Sequence, residues 1–139
     1  MKKIILILIV VFSGVLKNTH AQVPDTLAYL KSIVSNKSFY IGKPFSVLRD
    51  SLKIQIKFFT PYGNISYDKN KETSTSFGFY FPQTIDDLYL TYPRLRISWY
   101  PYLNTTQSLL LFGQYSGGWA AAVKAFYSTG IIADIQIRE

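Results

Sequence analysis

The chain begins with an oily run, then settles into alternating patterns that change period twice. Ile4 to Phe12 is uninterrupted apolar sequence, preceded by Lys2 and Lys3 and followed by Ser13 and Gly14. From Asp25, apolar residues recur at helical spacing: Leu27, Leu30, Ile33 and Val34. Asp25 is suited to cap that helix, because its carboxylate accepts N–H groups of the first turn. Pro44 then opens a second helix, with Phe45, Leu48 and Leu52 as its inner stripe.

From Lys53 the period becomes two. Ile54, Ile56 and Phe58 alternate with Lys53, Gln55 and Lys57, and Thr60 to Asn64 reads as the end of that strand. Gly63 to Ser76 has little apolar content and reads as a long loop. Phe77, Phe79 and Phe81 alternate with Gly78 and Tyr80, up to Pro82. Thr84 to Asp87 has the spacing of a capping box. Leu95, Ile97 and Trp99 alternate with Arg94, Arg96, Ser98 and Tyr100 in a third strand. Asn104 to Thr106 reads as a turn, and Ser108 to Phe112 as a central strand, apolar on both faces. Trp119, Ala122, Val123 and Phe126 form a third helical stripe, with Gly130 just past its end. Ile131 to Arg138 alternates again. The predicted fold is α+β: two N-terminal helices, a mainly antiparallel sheet of about five strands, and a third helix before the last strand.

The opening run changes how the charge is read. A basic start, an apolar stretch from Ile4 to Leu16 and a small-residue end at Thr19 and Ala21 predict a signal peptide over residues 1–21. That stretch is 13 residues long, whereas a membrane span takes about 20. A single domain over 22–139 is then expected to be exported, periplasmic or secreted, with no membrane span. Three of the 15 basic residues, Lys2, Lys3 and Lys17, fall in the leader, leaving 12 against 8 acids, a net of +4. With basic residues scattered and export expected, nucleic acid is not the expected partner.

The chemistry is narrow. The single histidine, His20, lies in the leader, and there is no cysteine. Ser-His-Asp and Cys-His nucleophile systems are therefore excluded from 22–139, as are thiol redox chemistry and zinc sites of the usual nitrogen and sulfur type. No metal and no cofactor is expected. Asp68 to Glu72 has the start of a calcium loop, but Thr73 stands where glycine is needed and two lysines oppose the ion. The candidate recognition surface is the polar sheet face. Lys53 and Lys57 lie on one expected strand, Arg94, Arg96, Tyr100 and Tyr102 on another, Tyr80 between them, and Asp134 on the last. Tyr and Arg are the side chains most enriched where recognition energy concentrates. The expected function is a non-catalytic binding module presenting this basic, tyrosine-rich face to an envelope protein or an acidic glycan. The competing expectation is a hydrolase or lyase using Asp134, or Asp86 and Asp87, with Arg94, Arg96 or Tyr100. A purely structural accessory domain is the third.

The segment Ile41 to Leu52, followed by a strand run, resembles the second helix of two-helix-plus-sheet envelope folds. These include the small outer-membrane assembly lipoproteins of the BamE type and the β-lactamase inhibitor protein. The resemblance spans about 30 residues and the element order, and it implies a module that offers a sheet face to a partner protein. The chain lacks the lipidated cysteine of those lipoproteins and adds a third helix and a last strand. As a whole it resembles small exported bacterial proteins.

Overall fold

The computed structural model describes residues 25–63, 68–81 and 92–139. The expected signal peptide, the Thr84–Asp87 capping spacing and the Pro82 strand end lie outside the described residues. Helix α1 (Thr26–Ser35) starts as its sequence predicts, with the Asp25 carboxylate accepting the Ala28 N–H at 2.9 Å. Leu30 and Ile33 form its buried stripe. A short 3-10 turn (Lys37–Phe39) follows. Gly42 then reverses the chain at φ +78°, a conformation that side chains beyond glycine resist. Helix α2 (Phe45–Ser51) buries Phe45 and Leu48.

The strand expected from Lys53 begins later, as β1 (Phe58–Tyr62). The reason is pairing. Strand β2 (Lys71–Gly78) ends opposite Phe58, so the residues before Lys57 have no neighbouring strand. Pro61 sits inside β1 instead of ending it, opposite Thr75. It is tolerated because β1 is an edge strand whose outer rim is served by other backbone: the Phe59 N–H donates to Gly117 O, and the Trp119 N–H to Lys57 O.

The expected 63–76 loop gives way to strand β2 from Lys71 onward. Its polar residues are buried: Glu72, Ser74, Thr75 and Ser76 are all within 4% of full burial. Tertiary partners make this tolerable. Thr75 accepts the Trp99 indole N–H at 2.8 Å, and Ser74 accepts from Arg96 Nε at 3.0 Å.

Strand β3 (Arg94–Asn104) keeps the expected alternation, with Leu95, Ile97 and Trp99 buried. The expected fourth strand at Ser108–Phe112 is instead part of helix α3 (Thr105–Tyr115). Asn104 is its cap, accepting the Gln107 N–H at 2.9 Å, where a plain turn was expected. Leucine favours helix, and no β-branched residue stands between Gln107 and Tyr115. The run is also not central: Leu109, Leu110 and Phe112 are exposed, while Thr105 and Ser108 are buried.

Helix α4 (Ala121–Ser128) buries Val123 and Tyr127, a stripe rotated slightly from the expected one, since Ala122 is exposed. Strand β4 (Ile132–Arg138) completes the sheet. The fold is α+β. The sheet of the described residues has four strands, not about five, in the order β1-β2-β3-β4, every neighbouring pair antiparallel. Phe59, Phe77, Leu95, Ile97 and Ile135 on the inner face join the helix residues Leu30, Phe45, Leu48, Val123 and Tyr127 in one core.

Candidate functional site on the outer sheet face

Strand register decides which side chains share the outer face. One row across the strands holds Phe58, Gly78, Arg94 and Arg138. The next holds Thr60, Ser76, Arg96 and Gln136, and the third Tyr62, Ser74, Ser98 and Asp134. Arg94 and Arg96 therefore lie on one side, as expected, and Arg138 joins them directly opposite Arg94. Like charges opposed across strands are destabilising. Among the described residues none of these three arginines is in an ion pair. Two of them are steered by rings instead. The Arg94 guanidinium lies 4.8 Å from the Phe58 ring centroid, and that of Arg96 lies 4.6 Å from the Tyr62 centroid. Gly78 makes the first contact possible, because a Cβ there would fall 2.1 Å from the Phe58 ring.

Tyr100 and Tyr102, in step with Arg94 and Arg96 along β3, stay on that side across an irregularity. Ser98 pairs with Ser74 but Leu103 with Glu72, so β3 carries extra residues there. The extra stretch swings outward while Trp99 remains in the core. Tyr100 is 73% exposed and Tyr102 is 45% exposed, and the Tyr100–Pro101 peptide bond is cis. Together Arg96, Arg138, Gln136, Ser98, Tyr100 and Tyr102 line a shallow groove of about 540 Å³.

The remaining candidates are placed differently. Asp134 is on the outer face, but it is paired with Lys37 of the 3-10 turn at 2.6 Å, not with Arg94 or Arg96, and Gln136 donates to it at 3.1 Å. Burial pushes its carboxyl upward, but the Lys37 ammonium, the Ile135 N–H and Gln136 together hold it below the usual aspartate value. This suits a standing ion pair and opposes the role of proton donor. Asp86 and Asp87 lie outside the described residues. Tyr80 sits beyond the end of β2 and stacks on Tyr92 with centroids 4.1 Å apart. Lys53 and Lys57 do not join the face, since their segment is not part of the sheet. The Lys53 backbone N–H donates to the Tyr29 hydroxyl, and Lys57 lines a second groove with Arg49, Lys124 and Trp119.

Glu72 is the residue that sequence reasoning missed. The pairing shift between Glu72 and Ser74 turns its side chain inward. It is fully buried. Its carboxylate accepts the Tyr127 hydroxyl at 3.0 and 3.3 Å and the Thr75 hydroxyl. Burial pushes its pKa up, and the surrounding hydroxyls of Ser108, Thr75 and Tyr127 pull back only in part. Burial first, and then the nearby Glu72 charge, push the Tyr127 phenol far up, so it stays a neutral donor. Glu72 thus ties β2 to α4 through buried hydrogen bonds. Simple alternation from Phe77 and Thr75 assigns it to the opposite face, so no sequence signal marks it.

Comparison with protein-family models, with curated proteins and with solved structures finds no match to this chain.

Proposed function

We propose that this chain is an exported, non-catalytic binding module whose outer sheet face receives an acidic partner, an envelope protein or an acidic glycan. The observation that carries the reading is the opposed pair Arg94 and Arg138 with Arg96 diagonal to it, all without ion-pair partners among the described residues. A face that concentrates positive charge, at a cost to its own stability, is complementary to an anion. Arg96 reaches the groove from one side, with its guanidinium already seated over Tyr62, so less side-chain freedom is lost on binding. Tyr100 and Tyr102 supply exposed phenol rings at the other side, large contact surfaces of low conformational cost. Export is supported by the three-part leader at 1–21.

The test uses residues 22–139 with defined polyanions: polygalacturonate as acidic glycan, polyglutamate as acidic peptide, and dextran as neutral control. Polyanion binding is expected to weaken with salt. The double variant Arg94→Ala, Arg96→Ala is expected to lose at least about tenfold in affinity, as removal of two charge-assisted contacts implies. Dextran binding equal to that of the polyanions, or unchanged affinity in a folded double variant, overturns the reading.

A further inference from the structure

We propose that a second groove, on the helix side of the molecule, is a binding site for a small amphiphilic anion: an apolar body carrying one carboxylate, sulfate or phosphate group. This site is separate from the outer face, and its argument does not depend on the function proposed for that face.

The groove has a volume of about 440 Å³ and lies among α2, the segment 52–57 and α4. That volume is in the range of sites for small organic ligands. Its walls are of two kinds. Leu52, Ile54 and Trp119 are half-buried, and Ile56 is buried, so one part is hydrocarbon and indole. The other part is cationic, with Arg49, Lys57 and Lys124. The one acid in the lining is Asp50, and it is already matched. Arg49 holds it through Nε at 2.9 Å and Nη2 at 2.7 Å, and spends Nη1 on the Ser128 hydroxyl. Among the described residues neither Lys57 nor Lys124 has a carboxylate partner, and Lys57 Nζ donates only to Gln55 Oε1 at 3.1 Å.

The cavity therefore presents an apolar wall beside two uncompensated ammonium groups. A neutral hydrocarbon satisfies only the first, and a purely polar anion only the second. An amphiphile with a single anionic head satisfies both. Lysine is a point charge on a flexible stem, so it accepts carboxylate, sulfate or phosphate without demanding a planar fork. The irregular backbone of 52–57 belongs to this account. Had that segment paired as a strand, Lys57 and Gln55 would have pointed out from the sheet, with no hydrocarbon wall beside them.

Decanoate, kept below its micelle concentration, is the probe. Trp119 lines the groove while Trp99 is sealed in the core, so intrinsic fluorescence reports on this site, and calorimetry gives the stoichiometry. The expected result is saturable one-to-one binding that weakens with salt. Decanol and decyltrimethylammonium are expected to bind at least about tenfold more weakly. Lys57→Gln with Lys124→Gln, both at exposed positions, should lose at least about tenfold in decanoate affinity with an unchanged melting temperature. Arg94→Ala with Arg96→Ala should leave decanoate binding intact, which separates this site from the outer face. Equal binding of decanol, full affinity in the lysine double variant, or no decanoate binding each overturns the proposal. So does capture by phosphatidylglycerol vesicles in the absence of decanoate binding, which would assign the two lysines to a lipid surface instead.

Discussion

Replacing Glu72 by Gln tests the buried carboxylate directly. Glu72 is fully buried, accepts the Tyr127 and Thr75 hydroxyls, and among the described residues is in no ion pair. Burial raises its folded pKa above the 4.5 of an unperturbed glutamate. The folded state thus binds the proton more tightly than the unfolded chain. Its contribution is complete below 4.5 and is lost as pH rises through the folded value. Between those two values wild-type stability falls by about 1.4 kcal/mol per pH unit relative to a variant that cannot ionise. Glu72→Gln keeps the volume and an acceptor oxygen and removes the titration. Its denaturation midpoint in guanidinium, followed by tryptophan fluorescence, should therefore hold steady where that of wild type declines. The background is simple, because the single histidine, His20, lies outside residues 22–139. Glu72→Ala is a different perturbation. It strands the Tyr127 and Thr75 hydroxyls, each at about 1–3 kcal/mol, so destabilisation of about 2–6 kcal/mol is expected at any pH. Parallel stability curves for wild type and Glu72→Gln from pH 4 to 8 would refute the reasoning, since they would mean the carboxyl titrates alike in both states.

Three further outcomes follow from the geometry. Gly78→Ala pushes the Phe58 ring aside, because the new Cβ falls 2.1 Å from it; a loss of about 1–3 kcal/mol in chemical denaturation is expected, together with weaker polyanion binding as Arg94 loses its platform. Asn104→Ala removes the cap of α3 and should cost about 1 kcal/mol in the same assay. Because Asp134 titrates below 3.8 when folded, its stabilisation is present above that value and is lost as pH falls through the folded pKa. Lys37→Ala should flatten that acid limb, while at neutral pH it costs no more than about 1 kcal/mol, since both partners are about a third exposed.

Much of the architecture was legible wherever one residue's neighbours along the chain settle its state. The Asp25 cap, the α1 stripe and the alternation from Arg94 to Trp99 are local patterns, and each appears as read. The same alternation put Arg94 and Arg96 together. Legibility failed where the deciding partner is distant. Lys53–Lys57 alternates like a strand, yet β2 ends too early to pair with it. Lys71–Ser76 looks like loop until the Trp99 indole and the Arg96 guanidinium supply its hydrogen bonds. Ser108–Phe112 is apolar on every side, and periodicity alone does not separate a buried strand from a helix in so short a run.

The candidate site divides along the same line. By itself the sequence determined the α+β class, the absence of histidine and cysteine chemistry from 22–139, and a face bearing Arg94 and Arg96, because composition and strict alternation are properties of the chain alone. Tertiary structure decided that Arg138 opposes Arg94, that Tyr100 and Tyr102 line one groove with Gln136 and Arg138, that Lys57 leaves the face for a second groove, and that Glu72 turns into the core. Each of these depends on strand register. One extra residue in a strand moves every following side chain to the opposite face, and only the pairing of distant segments fixes where that residue falls.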